Sequence, residues 1–403
     1  PNVVAAQLIV AKLDLKFGRM QTAINATRQV IVLDPHNETA YDILIVAMSQ
    51  ANDPSGLIDA LKLAHRQFPN TDRFSSGLIE AYVRSGDSHQ AGKLIEAVLR
   101  KPIQDPAQLR NLALFSLQIE RPSLAQKALL KLEKIPGQRD LAELLLGRLA
   151  AQANELNVAI KHFNRIPFSS QQYTEARILM AAAYAQSDDM TGAMQSLDIA
   201  LTAPIDIADK QRLTLAKAGL LQSQGLDQES LTLLTEAAAR WPGTADIQLQ
   251  RAMLLLKLNR GIEARDALRQ VINDDPSNAA ALNALGFTLA DENTNLDEAE
   301  QLIQKALKLD PDNAAYLDSM GWVYYRQGKL NEAAETLQKA FKITPDPEVG
   351  AHWGIVLWHQ NKPDEAKSIW QRALGLNPNL PVLRAAVKKY APELLLNLLE
   401  TDQ

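Results

Sequence analysis

Cysteine is absent from the 403 residues, which removes disulfides, thiol nucleophiles, iron–sulfur clusters and thiolate zinc sites together. Aromatic residues are scarce at 5%, although 46% of the chain is hydrophobic. Apolar content carried by Ala and Leu suits close-packed helices better than sheets. No field of one charge exists either, because 42 basic residues meet 47 acidic ones for a net charge of −5. A nucleic-acid partner is therefore not expected, and protein or peptide is the default. Long apolar runs are missing too. Runs such as Leu144–Leu146 and Leu394–Leu396 fall far short of the roughly 20 residues that span a bilayer.

Catalytic signatures are equally missing. No metalloprotease helix motif, nucleophile elbow, P-loop or dinucleotide glycine fingerprint occurs, so no enzyme activity and no cofactor is expected. The six His, at 36, 65, 89, 162, 352 and 359, are scattered. His352 and His359 share a predicted helix but lack a nearby third ligand, so surface or edge-of-core imidazoles are expected and no metal site. Acidic pairs such as Glu332 with Glu335 fall in first turns of predicted helices, where they complement the dipole.

What is present is a period. Ala23, Ala91, Ala125, Ala159 and Ala193 stand on a strict 34-residue ladder, with Leu57 on the intervening rung. Ser230 follows after 37 residues, then Ala264, Ala299, Ala333 and Ala366 at steps of 34, 35, 34 and 33. Seven prolines, from Pro35 to Pro378, each stand twelve residues beyond a rung. Proline there ends a helix, since it has no N–H and disfavours helix at the residue before it. Gly18, Gly86, Gly225 and Gly328 sit where a left-handed helix end is needed. Asp53 before Pro54, and Asn361 near Pro363, read as capping residues with proline in the next first turn. The clearest unit predicts helices over about Ala314–Arg326 and Asn331–Ile343, with small residues Gly321 and Ala333 at their contact. Such a pair cannot bury its apolar faces alone and must stack on copies of itself.

Leu317, Met320, Gly321, Tyr324, Ala333, Leu337, Ala340 and Pro345 resemble the tetratricopeptide repeat, a 34-residue helix–turn–helix. Leu285, Gly286, Leu289, Ala299, Ile303 and Pro311 follow the same pattern, as do Gly354, Ala366, Trp370, Ala373 and Pro378. The resemblance implies an all-α, right-handed α-solenoid of about eleven units over residues 4–378, closed by a capping helix. Degenerate units are expected over 1–207 and regular ones over 208–378, with a possible joint near 203–210. Residues 379–403 would hold a capping helix at Leu380–Tyr390 and an apolar last helix at Glu393–Glu400. Ala23, Ala91, Ala125, Ala159, Ala193, Ala264, Gly286, Ala299, Gly321, Ala333, Gly354 and Ala366 are the expected repeat contacts.

In this family the first helices line the concave surface, and the residue after the small contact residue faces the groove. That position holds Phe287 and Trp322, with Tyr325, Arg326, Trp358 and His359 one turn further on. Asn283, Asp291 and Asp318 border this strip, and Arg110, Arg148 and Lys257 map to the same face further back. Two readings stand for Trp322 and Trp358: contact with a partner, or burial in the tight inner curve. Trp353 and Trp370 are expected in the core. The paired Lys, Asn and Arg by which some members grip a C-terminal carboxylate cannot be assembled here, which argues against a chaperone-tail receptor.

The succession from Tyr316 to Leu374 is also similar to the last repeats of proteobacterial envelope proteins, many of them outer-membrane lipoproteins facing the periplasm. Within that group the chain looks most like the lipoprotein adaptor of a carboxyl-terminal processing protease. The resemblance implies a scaffold that binds and activates a periplasmic serine protease and brings it cell-wall hydrolases. It also implies a lipidated Cys upstream of Pro1, so contact with the membrane would run through that anchor alone. The start at Pro1 reads as a trimmed precursor. The alternative is an envelope assembly factor for polysaccharide export or protein sorting. Helix Val3–Phe17, with no helix before it, is a second candidate docking surface.

Overall fold

The computed structural model describes residues 2–395. All regular structure among them is helical, in twenty-three α-helices. The chain divides into two compact units, Pro1–Asp206 and Ile207–Gln403.

The first unit holds six helix pairs. These are α1/α2 (Asn2–Lys16, Met20–Leu33), α3/α4 (Glu38–Gln50, Pro54–Gln67) and α5/α6 (Asp72–Arg84, Ser88–Leu99). Then come α7/α8 (Pro106–Gln118, Pro122–Leu132), α9/α10 (Arg139–Gln152, Leu156–Asn164) and α11/α12 (Tyr173–Gln186, Met190–Thr202). The second unit holds five pairs and a closing helix. It runs α13/α14 (Ile207–Ser223, Asp227–Arg240), α15/α16 (Ala245–Lys257, Gly261–Asp274) and α17/α18 (Ala279–Asp291, Leu296–Leu309). It ends with α19/α20 (Ala314–Arg326, Leu330–Ile343), α21/α22 (Pro347–His359, Pro363–Leu376) and α23 (Pro381–Tyr390). Each helix packs on its partner, and in each unit second helices pack on the next first helix. Of the expected last helix, Glu393–Glu400, residues 393–395 are helical and the rest lies outside the described residues.

The ladder is the packing. Ala23, Ala91, Ala125, Ala159, Ala193, Ser230, Ala264, Ala299, Ala333 and Ala366 are all fully buried. Leu57, too large for a close helix approach, is only partly buried. On the first helices the small residues face large ones. A Cβ on Gly321 would come within 2.5 Å of Leu337, and one on Gly286 within 2.6 Å of Ile303. Gly354 meets the Trp370 indole and Gly147 the Phe163 ring in the same way. Sixteen or seventeen residues separate each such pair, so one contact repeats in both units. Ser230, the polar rung, donates its hydroxyl to Ala218 O at 3.0 Å and accepts from Gln222 Nε2 at 3.2 Å.

Turns follow their chemistry. Gly18, Gly86, Gly225 and Gly328 have φ between 71° and 78°, which an L side chain resists. Where glycine is missing, Asn takes most of the left-handed turns, as at Asn52, Asn154 and Asn259. Asp53 caps α4 by accepting from Gly56 N. Asn361 does not cap α22: its φ is 59°, and Lys362 holds the cap position. Asn tolerates the left-handed conformation that this glycine-free turn requires. The extra residue at Asp291–Asn295 gives two left-handed residues, Asn293 and Asn295.

Candidate functional site

Helices α17, α19 and α21 pack side by side as the first helices of successive pairs, and most of the candidate residues lie along them. At the centre is His352 of α21, which is 3% exposed. Its Nδ1 lies 3.0 Å from both carboxylate oxygens of Asp318 on α19. A carboxylate can only accept, so Nδ1 carries the proton and donates. Burial by itself would lower the imidazole pKa, but the Asp318 charge and hydrogen bond outweigh it, with Glu348 and Asp291 adding to them. The net direction is up. His352 thus departs from the expected edge-of-core imidazole, because an acid from the preceding pair reaches it. Its own helix offers Glu348 one turn back, but the carboxylate that hydrogen-bonds it comes only with the stacking of α19 on α21.

Trp322 covers this pair. Its ring stacks on His352 at 4.3 Å and on Tyr325 at 4.9 Å, and the Arg326 guanidinium lies 4.9 Å from the indole. The residue is 7% exposed, so of its two readings the structure has burial. Arg326 also donates through Nη2 to Asp291 O at 2.8 Å, tying α19 to the end of α17. Phe287, partly buried, stands 6.1 Å from the His352 ring. Tyr325 meets His359 edge-on at 5.5 Å, and His359 Nε2 lies 3.2 Å from the Tyr390 hydroxyl of α23. Burial and the neighbouring Tyr390 raise the Tyr325 phenol, keeping it a neutral hydrogen-bonding group.

Trp358 faces α22 and α23, 6.0 Å from Trp370 and 5.6 Å from Tyr390. Trp370 is fully buried, as a core residue should be, whereas Trp353 keeps part of its surface open beside Phe341. Asn283 on α17 has a buried Oδ1 without a hydrogen-bond partner, and the same holds for Trp322 Nε1 and Arg326 Nε. Buried polar atoms are normally paired, and these three are exceptions, sealed from solvent.

Next to it, a cleft of about 510 Å³ opens between the segment before α19 and the start of α21. Asp310, Asp312, Asp318, Asp346 and Glu348 line it. Lys339 neutralises Asp312 at 3.0 Å. Partial desolvation in the cleft raises the Glu348 carboxyl pKa, although its side chain still reaches water.

The remaining candidates stand apart. Arg110 and Arg148 belong to the first unit, where Arg110 donates to Gln138 and Arg148 pairs with Glu175. Lys257 is held by Asp227 at 2.7 Å. On α1, Val3, Ile9, Val10, Leu13 and Phe17 are exposed. No group of side chains among the described residues could hold a metal ion, and none of the described helices is long and apolar enough to cross a membrane.

Residues 277–346 match the family described as tetratricopeptide repeat. A TPR repeat-containing protein of Pseudomonas aeruginosa is 35% identical over 215 residues, 53% of this chain. The chain spans about a third, 36%, of the length of that curated relative. Of solved structures, a tetratricopeptide repeat protein from Parabacteroides merdae aligns with TM-score 0.48 and 15% identity, over 62% of this chain and 98% of its own. The APC/C hetero-tetramer Cut9–Hcn1 aligns with TM-score 0.45 and 12% identity, over 94% and 95%. Residues 277–346 carry tetratricopeptide repeats.

Proposed function

We propose that this chain, built on tetratricopeptide repeats, is a non-enzymatic scaffold that binds partner proteins. Its finer role in this reading is that of an adaptor at the periplasmic face of the outer membrane. It would hold a carboxyl-terminal processing protease and present cell-wall hydrolases to it. The observation that carries the binding role is the strip on α17, α19 and α21. There the rings of Phe287 and Tyr325 stay partly open beside the partly exposed Arg326. Partly open aromatic and Arg side chains are what anchor a bound polypeptide. The adaptor role rests on the likeness of the last repeats to envelope lipoproteins. Tetratricopeptide repeats are in general non-catalytic scaffolds, and the side-chain pairings described here are those of ion pairs and packing.

The test is capture of the tagged full chain from solubilised envelopes, followed by assay of any captured protease on a hydrolase with and without the chain. Recovery of a processing protease whose turnover rises on adding the chain is the expected result. Capture of export or sorting proteins instead would overturn the adaptor role while leaving the scaffold. Capture that is unchanged in N283A/F287A would move binding away from this strip.

A further inference from the structure

We propose that the buried Asp318–His352 pair is a proton-operated latch fastening the helix pair α19/α20 to the pair α21/α22. The two residues belong to successive repeats, 34 positions apart, and meet across the line where those repeats stack. Both are nearly sealed from water, at 7% and 3% exposure. Trp322 closes one side of the imidazole by stacking at 4.3 Å, and Phe287 of α17 approaches at 6.1 Å.

The latch is local. Counting back three residues from the small contact residue, Asn283 stands before Gly286 where Asp318 stands before Gly321. Two residues before, Ser319 stands where His352 precedes Gly354. The preceding junction therefore offers an amide and a hydroxyl where this one offers a carboxylate and an imidazole. Of these two junctions, the Asp318–His352 one can change charge near neutrality.

The groups facing His352 decide the direction. From α19 come Asp318 and Arg326, the latter engaged by Asp291 and the Trp322 ring. From α21 itself comes Glu348, and from the end of α17 comes Asp291. Lys389 and Tyr390 of α23 act on Tyr325 and meet His359 rather than His352. The rings of Phe341 on α20 and Trp370 on α22 pack against Trp353 and Trp358, other positions of α21. Three carboxylates thus surround one imidazole, and the arrangement is satisfied when His352 is charged. On losing that proton, Asp318 remains buried against a neutral ring with Glu348 and Asp291 nearby. Repulsion and desolvation then oppose the contact.

The sign follows. The His352 pKa is raised in the folded chain, so its stabilisation is complete below the ordinary value of about 6.5 and fades as pH climbs through the folded value. The Glu348 pKa is raised as well, so its contribution also weakens with rising pH. Both groups make the last repeats tighter in mild acid and looser in base.

Histidine-selective NMR and amide exchange on the full chain test this. Protection in α19 and α21, corrected for intrinsic exchange, should fall severalfold between about pH 6 and about pH 8.5. Helices α7 and α9 should keep theirs, and H352Q should abolish the difference. In the native chain one imidazole signal should titrate above the ordinary value, and D318N should lower that midpoint. The proposal is overturned if H352Q retains the pH dependence, or if α7 and α9 share it. Should H352Q not fold, the native chain decides alone: six imidazoles all titrating at or below the ordinary value reject the latch.

Discussion

Both units bury an acid against a histidine, but the two pairs connect different things. In the first unit Glu143 of α9 meets His162 of α10 at 2.6 Å, with Arg165 at 3.3 Å. That contact staples the two helices of one repeat, and the second cation keeps Glu143 compensated whether or not His162 is charged. In the second unit Asp318 and His352 join one repeat to the next, and no permanent cation pairs with that carboxylate among the described contacts. Identical chemistry thus acts within a repeat in one place and between repeats in the other. Around the second pair the structure also spends its few aromatics: Phe287, Trp322 and Tyr325 beside it, then Trp358, Trp370 and Tyr390. A repeat array is stabilised by intrinsic terms and by nearest-neighbour terms. The first unit invests a buried charge in the former, the second in the latter.

The hardest blow to this contrast would come at Trp322. Trp322→Ala removes the ring stacked on His352 and should cost roughly 3–5 kcal/mol, the range for emptying a buried aromatic site. Calorimetry should show the loss in the transition that melts α19–α23. Retained stability with weakened partner capture would return Trp322 to a contact role. Next in size, Gly321→Leu and Gly147→Leu should each cost about 1–3 kcal/mol through overpacking, against Leu337 and Phe163 respectively. Similar unfolding shifts would show that the helix contact is common to both units. A silent Gly147 variant would confine it to the second.

Ser230→Ala tests the polar rung. Losing the hydroxyl that joins Ala218 and Gln222 should destabilise by about 1 kcal/mol in chemical denaturation, even though alanine stands on most other rungs. Smallest of all, Arg148→Ala removes a pair with Glu175 whose side chains are 51% and 36% exposed. Its effect on the midpoint should stay within about 0.5 kcal/mol. A larger loss would mean that the first unit, too, relies on charge between successive first helices.

Much of the fold was readable before any coordinates. The 34-residue ladder located ten of the buried small contacts, and the prolines after it marked helix ends within a residue or two. The reason is local: close helix approach demands a small side chain, and proline cannot continue a helix, wherever the repeat sits. Asn361 was misassigned because Asn serves both as a cap and as a left-handed turn residue, and sequence does not say which backbone it inherits. The site was less legible. The resemblance to the repeat family puts Phe287, Tyr325 and Arg326 on one face, but the burial of Trp322 depends on the ring of His352 one repeat later. His352 itself carried one overlooked signal, an acidic residue 34 positions upstream, a whole repeat away.

By itself the sequence determined that this chain is helical and repetitive, because those properties reside in spacing and composition. Only the tertiary structure decided which side chains of successive repeats touch. Stacking brings together groups about 34 residues apart, and whether two of them meet depends on sub-helical offsets that no period specifies. Asp318 and His352 differ by one position in register relative to Gly321 and Gly354, yet they share one buried proton site. That coincidence arises from the packing of α19 on α21, where distance and burial give the pair its chemistry.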